Sequence, residues 1–182
     1  ENLEKLLALI TDLKAEKKGA GFKRTTRMDT PNLDLEERGT FLRVRTGEKD
    51  IVTLKKKFKS NDEMFERMEL ETEVKDPELL ADIFANLGFT KRFIMEKYRI
   101  DYNYENTKIS VDELPFGVYV EIEGEPENIT IAAKNLHLDV SRKIVVTYWD
   151  LFEDYKKQTG ETGENIVFPK GHHSIISFYT KR

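Results

Sequence analysis

The chain has 182 residues, of which 34 are acidic and 30 basic, giving a formal net charge of -4, and it has no cysteine. That length supports one domain, residues 1–182, whose core needs neither a disulfide nor a structural metal. The charge balance excludes broad nucleic-acid binding driven by phosphate neutralisation, so any anion site is local. No apolar run approaches the roughly 20 residues that span a bilayer and no signal-like start is present, so the expectation is a cytoplasmic protein without a membrane partner.

Leu3, Leu6, Leu7, Ile10 and Leu13 recur at helical spacing and predict an amphipathic opening helix. A turn is expected at Gly19 and Gly21, and Asp29-Thr30-Pro31-Asn32 interrupts an extended segment. Phe41 to Thr46 and Ile51 to Phe58 read as strands joined by the hairpin Gly47-Glu48-Lys49-Asp50, and Met64 to Val74 as the next strand. Asp76 is placed to cap a helix with Pro77 in its first turn, running to Leu87 and stopping at Gly88. Three more strands cover Phe93 to Tyr102, Lys108 to Leu114 and Val118 to Glu123, with helices at Asn128 to Leu136 and Val146 to Lys157. Residues 160–182 read as an irregular C-terminal segment. Antiparallel strands interspersed with helices indicate an α+β class.

Charges recur at every second position in Arg43-Val44-Arg45, Lys55-Lys56-Lys57, Arg67-Met68-Glu69-Leu70-Glu71-Thr72-Glu73, Lys97-Tyr98-Arg99 and Glu121-Ile122-Glu123. In a strand each such stretch gathers its charges on one face. A sheet wetted on one side explains any single stretch. The mixture of signs points instead to a lumen in which bases hold a polyanion and acids hold a cation.

The motifs Asp29-Thr30-Pro31, Leu42-Arg43-Val44-Arg45, Thr53-Leu54-Lys55, Arg67-x-Glu69-x-Glu71, Leu87-Gly88-Phe89, Lys97-x-Arg99, Asp112, Gly117 and Glu121-Ile122-Glu123 follow one another in an order and spacing that resemble the CYTH domain, or triphosphate tunnel metalloenzyme, family. The resemblance implies an eight-stranded antiparallel β-barrel with flanking helices, and a triphosphate-containing small molecule as substrate. It implies a phosphate clamp of Arg43, Arg45, Lys55, Arg67, Lys97 and Arg99, and Mg²⁺ or Mn²⁺ held by Glu69, Glu71, Asp112, Glu121 and Glu123. Glu121, Glu123 and Lys55 are the implied catalytic residues. The activity implied is hydrolysis of inorganic triphosphate, thiamine triphosphate or a nucleoside triphosphate. The alternatives are a class IV adenylate cyclase, making cyclic AMP and pyrophosphate from ATP, and a non-catalytic polyphosphate- or nucleotide-binding barrel. A homodimer is compatible with the sequence.

Two departures accompany the matches. The family's Glu-x-Glu-x-Lys first strand is absent, and an upstream segment is expected to carry it, because a barrel short of one strand exposes unpaired edges. Arg27-Met28 stands where many members have aromatic residues. His137 and the pair His172-His173 read as surface or structural residues, and Tyr148, Trp149, Leu151, Phe152 and Tyr155 as a packing surface. Glu73, Asp101 and Lys108 read as rim positions, and Lys56 as an outward residue.

Overall fold

The computed structural model describes residues 3–57 and 67–179. Among them seven strands occur: β1 (Glu16–Asp29), β2 (Thr40–Thr46), β3 (Ile51–Lys57), β4 (Arg67–Glu73), β5 (Thr90–Tyr104), β6 (Thr107–Leu114) and β7 (Gly117–Glu123). The helices are α1 (Leu3–Asp12), the short α2 (Asp34–Glu37), α3 (Pro77–Asn86), α4 (Pro126–Asn135) and α5 (Tyr148–Thr159). The strands form one antiparallel sheet in the order β4-β3-β2-β1-β5-β6-β7, so the class is α+β. Eight strands were expected, the first carrying Glu-x-Glu-x-Lys; the described chain supplies seven, with β4 and β7 at the ends of the order. No helix among the described residues is long and apolar enough to cross a membrane.

The chain divides into two compact units. One comprises Glu1–Gly21, Lys97–Gly163 and Phe168–Arg182; the other comprises Phe22–Glu96 and Glu164–Val167. In the first, helical spacing places Leu6, Leu7 and Ile10 of α1 in one cluster with Ile100, Ile109, Val111, Leu136 and Ile176. Ile100 and Val111 are direct cross-strand partners, so their neighbours Arg99 and Asp112 pair on the opposite face. Each such fully buried aliphatic side chain contributes about 1.5–3 kcal/mol. The oily face thereby fixes which side of β5–β7 carries charge.

The second unit repeats this logic. Leu42 and Val44 are buried, and Arg43 and Arg45 alternate with them along β2. Helix α3 lies against β2 and buries Ala81. Its start is fixed as expected: the Asp76 carboxylate accepts from the Leu79 N–H at 2.9 Å and Pro77 occupies the first turn. Past its end Gly88 has φ +92°.

Some boundaries differ from expectation. Gly19 and Gly21 lie inside β1 and make no turn. Glycine permits a reversal but does not require one; inside a strand it costs only about 0.5–1 kcal/mol relative to alanine, and continued strand pairing outweighs that. The reversal comes after Asp29, whose fully buried carboxylate accepts from the N–H groups of Thr30, Leu35 and Glu36 at 2.8, 3.0 and 3.1 Å. Strand β4 is described from Arg67; residues 58–66, which include Phe58 and Met64 at the expected strand ends, lie outside the described residues. Helix α4 starts at Pro126, two residues before the expected Asn128, because proline is suited to a first turn. Helix α5 starts at Tyr148, where Thr147 and Asp150 form a reciprocal capping box.

Candidate functional site

Strands β1 to β4 bring their odd-numbered residues to one face. The register pairs Thr25 with Arg45, Arg27 with Arg43, Arg43 with Thr53, Thr53 with Glu71, and Lys55 with Glu69. Directly opposed residues of an antiparallel pair share a face. The expected clamp residues Arg43, Arg45 and Lys55 therefore lie together with Glu69 and Glu71. Lys55 Nζ is 2.9 Å from Glu69, Arg43 is 3.8 Å from Glu69, and Arg45 is 3.8 Å from Glu71. The Thr53 hydroxyl donates to Glu71 at 2.9 Å. The glutamates lack a lysine within their own strand, and neighbouring strands supply their partners. Lys56 is exposed on the other face, as expected. The backbone register opposes Arg67 to Lys57, but both side chains lie outside the described residues.

The sequence reading left Arg27 out of this set. It sits on the same face, directly opposite Arg43, with its side chain 15% exposed. Its guanidinium lies over the Phe41 ring at 4.9 Å and the Phe93 ring at 5.8 Å, and donates to Glu36 at 2.8 Å. Its place opposite Arg43 comes from the pairing of β1 with β2, which the sequence pattern does not encode across residues 30–39.

The other unit holds a separate charged network on β5 to β7. Arg99 opposes Asp112, Asp112 opposes Tyr119, and Ser110 opposes Glu121. Asp112 is fully buried, and its oxygens accept from Lys97 at 2.9 Å, from the Tyr148 hydroxyl at 2.8 Å and from Arg99. Arg99 also donates to Glu121. Glu123 is exposed, opposite Lys108. Asp101 accepts from Ser110 at 2.6 Å and lies 3.7 Å from Lys108.

Burial and charge compete throughout this network. Burial pushes Lys97 down to about 8, against the attraction of Asp112 and aided by Arg99. Burial alone would raise Asp112, but the Arg99 hydrogen bond and the charges of Lys97 and Arg99 hold its carboxyl below the usual carboxylate range. For Arg99 burial acts downward, and the hydrogen bond and charge of Asp112, then Glu121, overcome it and raise the guanidinium. Tyr148 is pushed well up by burial and then by the charges of Asp112 and Glu121, so its hydroxyl stays protonated and donates. Tyr148 was read as packing; its contact with Asp112 spans 36 residues of sequence, which no local pattern encodes.

The expected metal ligands divide by environment. Among the described residues no three histidine, aspartate or glutamate side chains group as a metal cluster. Asp112 is saturated by one tyrosine and two cations, which does not fit a metal ligand. Glu69, Glu71, Glu121 and Glu123 are at least partly exposed hard oxygen donors. They fit Mg²⁺ or Mn²⁺, and Mg²⁺ commonly takes one or two carboxylates and completes its shell with water and substrate phosphate.

His137 stands at the end of α4 with φ +55°. His172 packs on the Phe168 ring at 4.2 Å and lies 2.7 Å from Glu113, a structural contact.

The CYTH domain profile matches residues 3–148. A PH1012 protein from Pyrococcus horikoshii OT3 is 26% identical with a TM-score of 0.68, the match covering 83% of this chain and 94% of that one. A proposed adenylate cyclase from Vibrio parahaemolyticus is 16% identical with a TM-score of 0.71, covering 84% and 92%. HpAC1 from Hippeastrum, a proposed adenylyl cyclase with a dominant triphosphatase activity, is 18% identical with a TM-score of 0.62, covering 95% and 96%. No curated protein sequence matches the chain. The ordered motifs, the seven-stranded antiparallel sheet and the match over residues 3–148 together establish that the chain belongs to the CYTH domain family.

Proposed function

We propose that this chain is a divalent-metal-dependent triphosphatase acting on phosphoanhydride bonds. The observation that carries this reading is the single face of β2 and β3 on which Arg43, Arg45 and Lys55 stand within 4 Å of the acids of β4. Phosphate oxygens compete with those carboxylates for the bases. The planar fork of arginine matches them bidentately, and Lys55 supplies a point charge. Arg67 of the same unit, and Lys97 and Arg99 of the other, are the remaining proposed phosphate-binding cations. Glu69 and Glu71 in one unit, and Glu121 and Glu123 in the other, would offer oxygen ligands to Mg²⁺ or Mn²⁺, which when bound supplies Lewis-acid neutralisation of phosphate oxygens. Asp112 fixes Lys97 and Arg99 instead of binding metal. Water attacks the terminal phosphorus and gives its proton to solvent, the bridging P–O bond breaks with its electron pair leaving on the departing phosphate oxygen, and Lys55 neutralises charge that develops on the phosphoryl oxygens.

A second reading is supported by an aromatic group beside the Asp112 network. Tyr119 lies 5.5 Å from Tyr148 and 5.7 Å from Phe116, which lies 5.6 Å from both Phe152 and Tyr155. Such rings suit a nucleobase, and with ATP bound the ribose 3′-hydroxyl could replace water as nucleophile, as in an adenylate cyclase. Product analysis with Mg²⁺ or Mn²⁺ separates the two. ADP with inorganic phosphate from ATP, and phosphate with pyrophosphate from tripolyphosphate, support the triphosphatase. Cyclic AMP with pyrophosphate from ATP overturns it in favour of the cyclase, and binding without any product leaves a non-catalytic barrel.

A further inference from the structure

We propose that Arg27 is a phosphate-binding residue of this chain, a further cation on the face of Arg43, Arg45 and Lys55; this rests on the reading of that face as a triphosphate site. Three observations support it. First, Arg27 and Arg43 are direct cross-strand partners, and their side chains are only 15% and 17% exposed. Like charges in that position destabilise a sheet, so the pair has a cost that a bridging anion removes. Second, the Arg27 Nε–H is buried without a hydrogen-bond partner, although the rest of the guanidinium is engaged. A buried donor left unsatisfied is unfavourable, and a phosphate oxygen is the acceptor that an arginine edge fits best.

Third, the nearby acids do not account for the residue. Asp29 is 4.0 Å away, and its oxygens already accept from three backbone N–H groups. Glu36 is 55% exposed, and an ion pair with so wet a partner is weak. The rings of Phe41 and Phe93 hold the guanidinium in place without neutralising it. Position, burial and an unused donor therefore point to an anionic ligand.

The test is calorimetric titration of the full chain with inorganic tripolyphosphate and Mg²⁺, comparing wild type with Arg27→Gln, Glu36→Gln and Arg45→Ala. Loss of a charge-assisted hydrogen bond sets the expected weakening for Arg27→Gln at about 10-fold or more. Glu36→Gln should bind as wild type does, because Glu36 only braces the arginine. Arg27→Met keeps an unbranched stem against the rings and carries the test where the glutamine variant does not fold. If Glu36→Gln weakens binding as much as Arg27→Gln, the arginine is a structural strut and the proposal falls. If Arg45→Ala weakens binding and the Arg27 variants do not, the proposal alone falls. If neither Arg45→Ala nor the Arg27 variants change it, the reading of the whole face falls.

Discussion

Replacing Asp112 by asparagine removes the one fully buried charge that serves Lys97, Arg99 and Tyr148 together. Lys97 and Arg99 are 8% and 7% exposed, so neither cation finds water to replace it. Removing one partner of a buried ion pair costs about 3–5 kcal/mol, a large part of the total stability of about 5–15 kcal/mol typical of a domain. Lys97 offers partial relief, because burial already brings it down to about 8 and its proton is cheap to lose once Asp112 is neutral. Arg99 cannot deprotonate and keeps its bond to the partly exposed Glu121. The expected loss is therefore at the lower end, about 3 kcal/mol by urea unfolding at pH 7. At about 2–4 °C per kcal/mol for a chain of this size, that is roughly 6–12 °C in Tm. The double variant Asp112→Asn/Lys97→Met should recover part of the loss, with a coupling of about 1 kcal/mol or more. A single-variant loss below about 1 kcal/mol would refute the claim that Asp112 anchors the two cations.

The pH dependences follow from the same groups. Because burial brings Lys97 to about 8, kcat/KM for tripolyphosphate should fall above about pH 8 as the free enzyme loses a cation, and Lys97→Arg should move that limb upward; a profile flat to about pH 9.5 counts against Lys97 as a clamp residue. The stability term has the opposite sign: between about 8 and the ordinary lysine value the unfolded chain holds a proton that the folded chain releases, so this group's contribution improves with rising pH. Glu113 would be raised by burial, but the Ile176 N–H, the Ser174 hydroxyl and His172 hold it below the usual range. Its contribution is present above its unfolded value and is lost as pH falls through its folded one, so the protection of the Ile176 amide, its exchange rate relative to the intrinsic rate at the same pH, should fall in acid, and exchange at pH 7 should speed up in Glu113→Gln; unchanged exchange in that variant would show that Glu113 does not hold the segment. Tyr148→Phe removes one donor at 2.8 Å from Asp112 and should cost about 1 kcal/mol in urea unfolding, while no loss would mean that the hydroxyl contributes nothing to the network.

Much of the fold was legible because it is local. The alternation in Arg43-Val44-Arg45 and Glu121-Ile122-Glu123 fixed which residues share a face, and Asp76-Pro77 marked a helix start that the Leu79 N–H confirms. Gly19 and Gly21 misled because glycine signals what a backbone can do, while strand pairing decides what it does. The internal neutralisation of the site was not legible. Glu69 and Glu71 find their bases on other strands, Tyr148 reaches Asp112 from a helix 36 residues away, and Glu113 meets His172 across 59. Arg27 was obscured by the turn and short helix that separate it from β2, so only the strand pairing brings it opposite Arg43.

The most direct test of the charged faces as a triphosphate site is turnover of tripolyphosphate with Mg²⁺ by Arg45→Ala and Glu123→Ala beside the wild type. Both side chains are at least partly solvent-exposed, so each variant should keep the wild-type circular dichroism spectrum. Near-complete loss of turnover in both folded variants is the result the account expects. Wild-type turnover in either one would contradict it.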